Sequence, residues 1–353
     1  MLSGDRVGLL GGNALWLLDA PSGRVVSKVL DASSQLGGGV LADSSGNFIF
    51  TTSRVFSVTP DGGVRWSLAL GTNLARPQTT TSTSTFPLLT PGGVLLFAAT
   101  DGQLRAVHVD DGGVLWSRSI GLSVTGRSQG LNEGIGDTFF VGATAWDVQS
   151  GVAVGTAPGA RDAGLAPYAC SYDGLCAGRY EIGTSGLWEL RTAFLDFCGQ
   201  FRWSTPTVGT RPLLFSNASG DLLGLGPTPA QAGWLSVDSG VVLKSGTIAG
   251  SPQALGADGT LYTVECSSTD WSTADLTVHA YDADLNERWS RVLGAPCRWV
   301  APALGDDGVM YLARQGSLSI RVTALQTNSP GMAPTATATH MVNNRRTGWA
   351  GTR

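Results

Sequence analysis

One unit recurs from end to end of this chain, and it dictates the fold class. Its clearest copy is Ser251–Val292: SPQALGADGTLYTV, a polar insert, then LTVHAYDADLNERWSRV. Pro252–Leu255, Leu261–Val264 and Leu276–Tyr281 are short apolar or alternating segments, and a last segment carries Trp289. Turns at Asp258-Gly259 and Asp282–Asn286 separate them. Asp-Gly supplies the positive φ of a tight hairpin, while Leu, Tyr, Val and Thr suit a pleated surface. The unit therefore reads as four short strands. Alone it cannot bury both of its faces, so its copies must stack.

The copies are present. Ala301–Leu325 repeats the pattern closely, with APALGDDGVMYLA and LSIRVTAL. Val40–Leu70 and Phe86–Ser117 are full copies. Leu131–Val154, Gly164–Ser204 and Val208–Leu243 are weaker, and Arg6–Val29 is partial. Gly46, Gly93, Gly136, Gly259 and Gly308 mark the first turn of five units. The pitch is about 40–50 residues, the range of propeller blades. The glycines at Gly11-Gly12 precede no helix and lack a dinucleotide-binding spacing, so they read as a hairpin turn rather than a phosphate cradle.

Composition agrees. The chain has 353 residues, 49 of them Gly, with charged residues at 14% and a formal net charge of −4. The repeat fills nearly all of that length, so residues 1–326 are expected to form one domain and 327–353 a linker with a ring-closing segment. The absence of a basic stripe argues against nucleic acid. No apolar run is long enough for a membrane span. The start, MLSGDRVGLL, lacks the basic and apolar regions of a signal peptide. The first unit is expected to lack its opening strand and the last unit its closing one, with residues around Thr335–Val342 able to supply one of them.

The middle departs most from the repeat. Ala157–Tyr180 reads as loop-rich, followed by strands at Leu187–Leu190 and Phe194–Phe197. Thr79–Thr85 is a polar low-complexity loop. Both are candidate contact surfaces, with Tyr168, Tyr172 and Tyr180 as candidate binding residues. Asn217-Ala218-Ser219 matches a glycosylation acceptor.

The units of Ser251–Val292 and Ala301–Leu325 closely resemble the repeat of the pyrroloquinoline-quinone-like (PQQ-like) β-propeller superfamily. The closing MVNNRRTGWAG also resembles the end of such bacterial proteins. The resemblance implies an all-β fold, a single β-propeller of eight blades with four antiparallel strands each, seven blades being the alternative. The ring would close by joining N- and C-terminal strands. It also implies that Trp66, Trp116, Trp203 and Trp289 dock each blade onto the next. In such a ring Cys266 and Cys297 would lie near each other, and Cys170 and Cys176 bracket a turn. Two bridges with a free Cys198, in an oxidising compartment, stand against five reduced thiols.

The superfamily includes quinone-dependent dehydrogenases that hold PQQ and Ca²⁺ in the central funnel. This chain has no adjacent cysteines and no haem motif, and its acidic residues fall mostly in turns: Asp43, Asp61, Asp101, Asp111, Asp258, Asp282 and Asp306. His108, His279 and His340 are far apart in sequence, and no hydrolase elbow or phosphate loop is present. The resemblance is therefore closer to non-catalytic BamB-like members. It implies a monomeric binding or scaffold protein of a bacterial cell envelope, periplasmic, cell-surface or extracellular. A protein or glycan partner would engage its loops. No catalytic residue, metal ligand or cofactor is expected. The alternative is a quinone-dependent oxidoreductase with PQQ and Ca²⁺ in the funnel, and a WD-type adaptor is the weaker third reading.

Overall fold

A computed structural model describes residues 2–11, 14–30, 40–51, 54–69, 87–99, 101–120, 131–133, 137–141, 144–156, 168–171, 174–182, 188–196, 201–206, 213–225, 231–270, 272–297, 299–315, 319–331 and 333. Among them every regular element is a strand, and the strands pair antiparallel. The strands form eight sheets in chain order. Seven have four strands and the eighth has three. By contact they gather into two compact units, the main parts of which are Met1–Ala160 and Ala169–Asn344. Sheets one to four belong to the first unit and sheets five to eight to the second.

Each sheet is a meander, because each turn carries the residue its backbone requires. Gly46, Gly93, Gly220, Gly259 and Gly308 all take positive φ at the first turn of their sheets. Four of these are positions the sequence marks as unit boundaries; Gly136 lies outside the described residues. Aspartates hold the first turn of the second sheet and the second and third turns of the third sheet. The Asp43 carboxylate accepts from the Asn47 amide at 2.8 Å, that of Asp101 from Gln103 at 2.9 Å and that of Asp111 from Gly113 at 2.8 Å.

Within each unit the described core clusters lie between consecutive sheets. In the third sheet, Leu95 and Phe97 pack toward the second sheet, while Val94, Leu96 and Ala98 pack toward the fourth. This period of two with both faces covered explains why the strand Val94–Ala98 reads as a continuous apolar run. Tyr262 and Val264 face the eighth sheet in the same way, and Leu261 faces the sixth.

The structure corrects three expectations. The first sheet does not lack an opening strand: Leu2–Ser3 pairs with Arg6–Gly11, Leu2 opposite Val7, across a turn with Gly4 at φ 53°. Ala157–Tyr180 is less loop-rich than its composition suggests. Gly174–Ile182 is a nine-residue strand that pairs with the single strand Trp188–Leu195 through eight consecutive positions. Ladder pairing there outweighs weak local alternation. Third, residues 327–331 and 333 are not a loose surface linker. Thr327, Ser329 and Ala333 are buried. The Thr327 amide donates to Gly308 O at 2.8 Å and the Ala333 amide to Leu255 O at 2.9 Å, so the segment clasps the seventh and eighth sheets together. Thr335–Val342 and Thr79–Thr85 lie outside the described residues.

Candidate functional site

The expected docking tryptophans occupy equivalent places on the outer strands. The Trp66 indole N–H donates to Val109 O at 2.8 Å, Trp116 to Val148 O at 2.8 Å and Trp203 to Val237 O at 2.7 Å. Each acceptor lies on the following sheet. Three residues beyond each acceptor stands a glycine of positive φ: Gly112, Gly151 and Gly240. A Cβ on these glycines would come within 2.7, 2.5 and 2.5 Å of the indole ring. The ring therefore lies flat on bare backbone, which only glycine allows. Trp289 is half-buried against the cluster joining the last two sheets, its ring 6.1 Å from that of Tyr262. Sequence reading misses the sockets, although their Val-x-x-Gly spacing is a usable signal.

The seventh and eighth sheets carry the most elaborated described loop. Cys266 ends one strand and is joined by a disulfide to Cys297, with Cα atoms 5.6 Å apart. The insert Ser267–Asp275 follows. Its ends pair through the Ser267 amide to Asp275 O at 3.0 Å and the Asp275 amide to Ser267 Oγ at 2.9 Å. Ala274 is buried beneath it. The Asp270 carboxylate accepts from Ser272 Oγ at 2.6 Å and Thr273 Oγ1 at 2.8 Å, and these bonds hold it below its usual pKa. On the other side of the disulfide, Arg314 is 3% exposed and donates to Leu293 O at 2.9 Å and Gly294 O at 2.7 Å. Burial, with Arg321 nearby, lowers its pKa. The exposed hydroxyls of Ser267, Ser268, Thr269, Ser272 and Thr273 thus stand on a base fixed from both sides. Such a surface suits hydrogen-bonded recognition.

Beneath the clasp, burial pushes the Asp258 carboxyl up. Hydrogen bonds from the side chain and amide of Thr260, and from Ser329, outweigh this and hold it low. Burial raises the Tyr262 phenol beside it.

Other expected site residues are dispersed. His108 is exposed on the third sheet. His279, on the seventh, sits between Glu265 and Glu287, each 3.3 Å away. Among the described residues, no three His, Cys, Asp or Glu side chains converge to hold a metal. Cys170 and Tyr168 fall on the strand Tyr168–Ser171, and Cys176 and Tyr180 on Gly174–Ile182; their side chains are outside the description. Tyr172, Cys198 and His340 lie outside the described residues altogether. The Asn217 carboxamide does not stand free as a glycan acceptor. Its Nδ2, the atom a glycan would take, donates to Asp221 Oδ2 at 3.2 Å, and its oxygen accepts from the amides of Ser219 and Asp221, both at 2.9 Å.

Successive four-stranded meanders packed face to face are the architecture of a β-propeller, and solved structures match it. BamB from Moraxella catarrhalis is 14% identical, with 93% of this chain and 96% of that chain covered at a TM-score of 0.57. The computationally designed Ika8 protein is 12% identical, with coverage of 92% and 95% and a TM-score of 0.60. A eukaryotic initiation factor is 10% identical, with coverage of 94% and 85% and a TM-score of 0.53. Residues 12–164 match the family model described as outer membrane protein assembly factor BamB. These likenesses show a β-propeller fold. No curated protein matches it in sequence.

Proposed function

We propose that this chain is a non-catalytic binding propeller of a bacterial cell envelope, recognising a protein or glycan partner through its blade-connecting loops. The observation that carries this reading is the match of residues 12–164 to the outer membrane assembly factor model. Two features of the chain support it. The Cys266–Cys297 disulfide suits an oxidising compartment, hence a periplasmic, cell-surface or extracellular location. The hydroxyl-bearing insert Ser267–Asp275 stands on a fixed base, so little ordering cost attaches to binding there. Among the described residues no helix is long and apolar enough to cross a membrane.

A photocrosslinking residue at Thr269, compared with one at Val64 on an outer strand, tests the reading in an envelope fraction. We expect a discrete adduct from position 269 and none from 64. Equal, diffuse adducts from both positions would contradict it.

A further inference from the structure

The seam between the seventh and eighth sheets holds three arginines, and among the described residues no carboxylate pairs with them. Arg314 is 3% exposed. It sits on the strand Val309–Gln315, directly opposite Arg321 of Ile320–Gln326. Like charges facing each other across a ladder are destabilising, and burying one of them adds to that cost. The Arg314 guanidinium is spent on structure. Nη1 donates to Leu293 O and Gly294 O, and Nη2 donates to Thr323 Oγ1 at 3.2 Å. These bonds pin it to the outer strand of the seventh sheet, yet they leave its charge uncompensated. Its Nε is buried with no acceptor among the described residues.

Arg321 and Arg291 have no such structural use. Arg321 is exposed on the last described strand of the eighth sheet. Arg291 is exposed on Glu287–Gly294. Its ladder partner Val278 belongs to the cluster between these two sheets, so Arg291 stands on the side facing the eighth. Among the described residues neither guanidinium has a hydrogen bond or ion pair. Other outer-strand arginines do. Arg65 reaches Asp43 and Asp110 O, Arg118 reaches Gly151 O and Ser150 O, and Arg288 reaches Thr260 Oγ1. The sequence joining the two strands, Gly316–Ser319, contains no acid.

The insert Ser267–Asp275 reaches the same seam. Leu276 follows it and pairs with Gly294, whose carbonyl accepts from Arg314. Asp275 Oδ1 lies 3.9 Å from the place of a Gly294 Cβ, but it pairs with none of the three arginines. A fixed buried charge, two unengaged guanidiniums and neighbouring hydroxyls suit a planar oxyanion, which a guanidinium meets with two parallel bonds. A polyanionic glycan or nucleic acid is met by a track of many cations. This chain has a net charge of −4 and no such stripe, so a single carboxylate on a protein is the better match. We infer that the seam of Arg291, Arg314 and Arg321 takes an Asp or Glu side-chain carboxylate of a protein partner, an assignment that rests on the binding reading given above.

Fluorescence anisotropy of a fluorescein-labelled oligoglutamate peptide, titrated with the full chain at low salt, provides the test. We expect saturable binding that an oligoglutamine peptide does not show. Arg321→Gln should weaken it at least about tenfold, the loss of a charge-assisted bond, and Arg321→Lys should restore only part of it. Arg291→Gln should weaken it as well, whereas Arg24→Gln, an exposed charge in the first unit, should leave it unchanged. All three side chains are exposed, so the variants are expected to fold, which melting curves check. No binding, an equal loss in Arg24→Gln, or tighter binding of a polyuronate of matching charge would each overturn the inference. The photocrosslink at Thr269 separates the two readings. A discrete adduct there without oligoglutamate binding removes the carboxylate and leaves the binding propeller standing.

Discussion

At Gly112, Gly151 and Gly240 the indole ring needs the space a Cβ would take, and the left-handed φ needs glycine as well. Two independent requirements therefore meet at one residue. Trp116→Ala removes a 6%-exposed ring and its bond to Val148 O. We expect a loss of about 3–5 kcal/mol, read by chemical denaturation. Gly151→Val should cost a comparable amount, whereas Gly155→Ala, with nothing within 4 Å of its Cβ, should cost far less. Asp258 offers a pH test. Its carboxyl is lower in the folded protein than its ordinary value of 3.8, so its contribution is present above that value and is lost as pH falls below it. The melting temperature should drop as pH is taken below about 4, and less steeply in Thr260→Val, which lacks the hydroxyl bonded to Asp258.

At the scale of elements, most of the strands were legible because period-two alternation and Asp-Gly turns coincide. Val40–Leu70, Phe86–Ser117 and the two last units show this. The long strand Gly174–Ile182 was not legible, since Gly178, Arg179 and Glu181 break the apolar alternation and only its ladder with Trp188–Leu195 reveals it. The clasp was hidden for a similar reason. Thr327, Ser329 and Gly331 look like linker residues, yet small size is what lets them enter: a Cβ on Gly256 would meet Ser329 Oγ at 2.2 Å. Truncation after Ser329 should lower the melting temperature and promote association, because it removes the Gly331 and Ala333 bonds to the seventh sheet. An unchanged melting curve would contradict that role. The disulfide spans 31 residues of sequence. Cys266→Ala should cost about 3–4 kcal/mol, checked by denaturation with and without reductant.

The whole molecule is a repeat scaffold whose strands are largely spent on packing against their neighbours, which leaves the proposed recognition to the loops. The fold was readable from a repeat of about 40–50 residues because every blade solves the same burial problem. The candidate site was less readable. Hydroxyl-rich inserts resemble ordinary loops until the disulfide and Arg314 are seen to fix their base. The claim that matters most is that this propeller binds rather than catalyses. Titration of the purified chain with pyrroloquinoline quinone and Ca²⁺, followed by fluorescence quenching and dye-linked oxidation of alcohols and sugars, tests it most directly. We predict no saturable quenching and no turnover. Saturable binding at about micromolar concentration, with turnover, would contradict the account and make the chain an oxidoreductase.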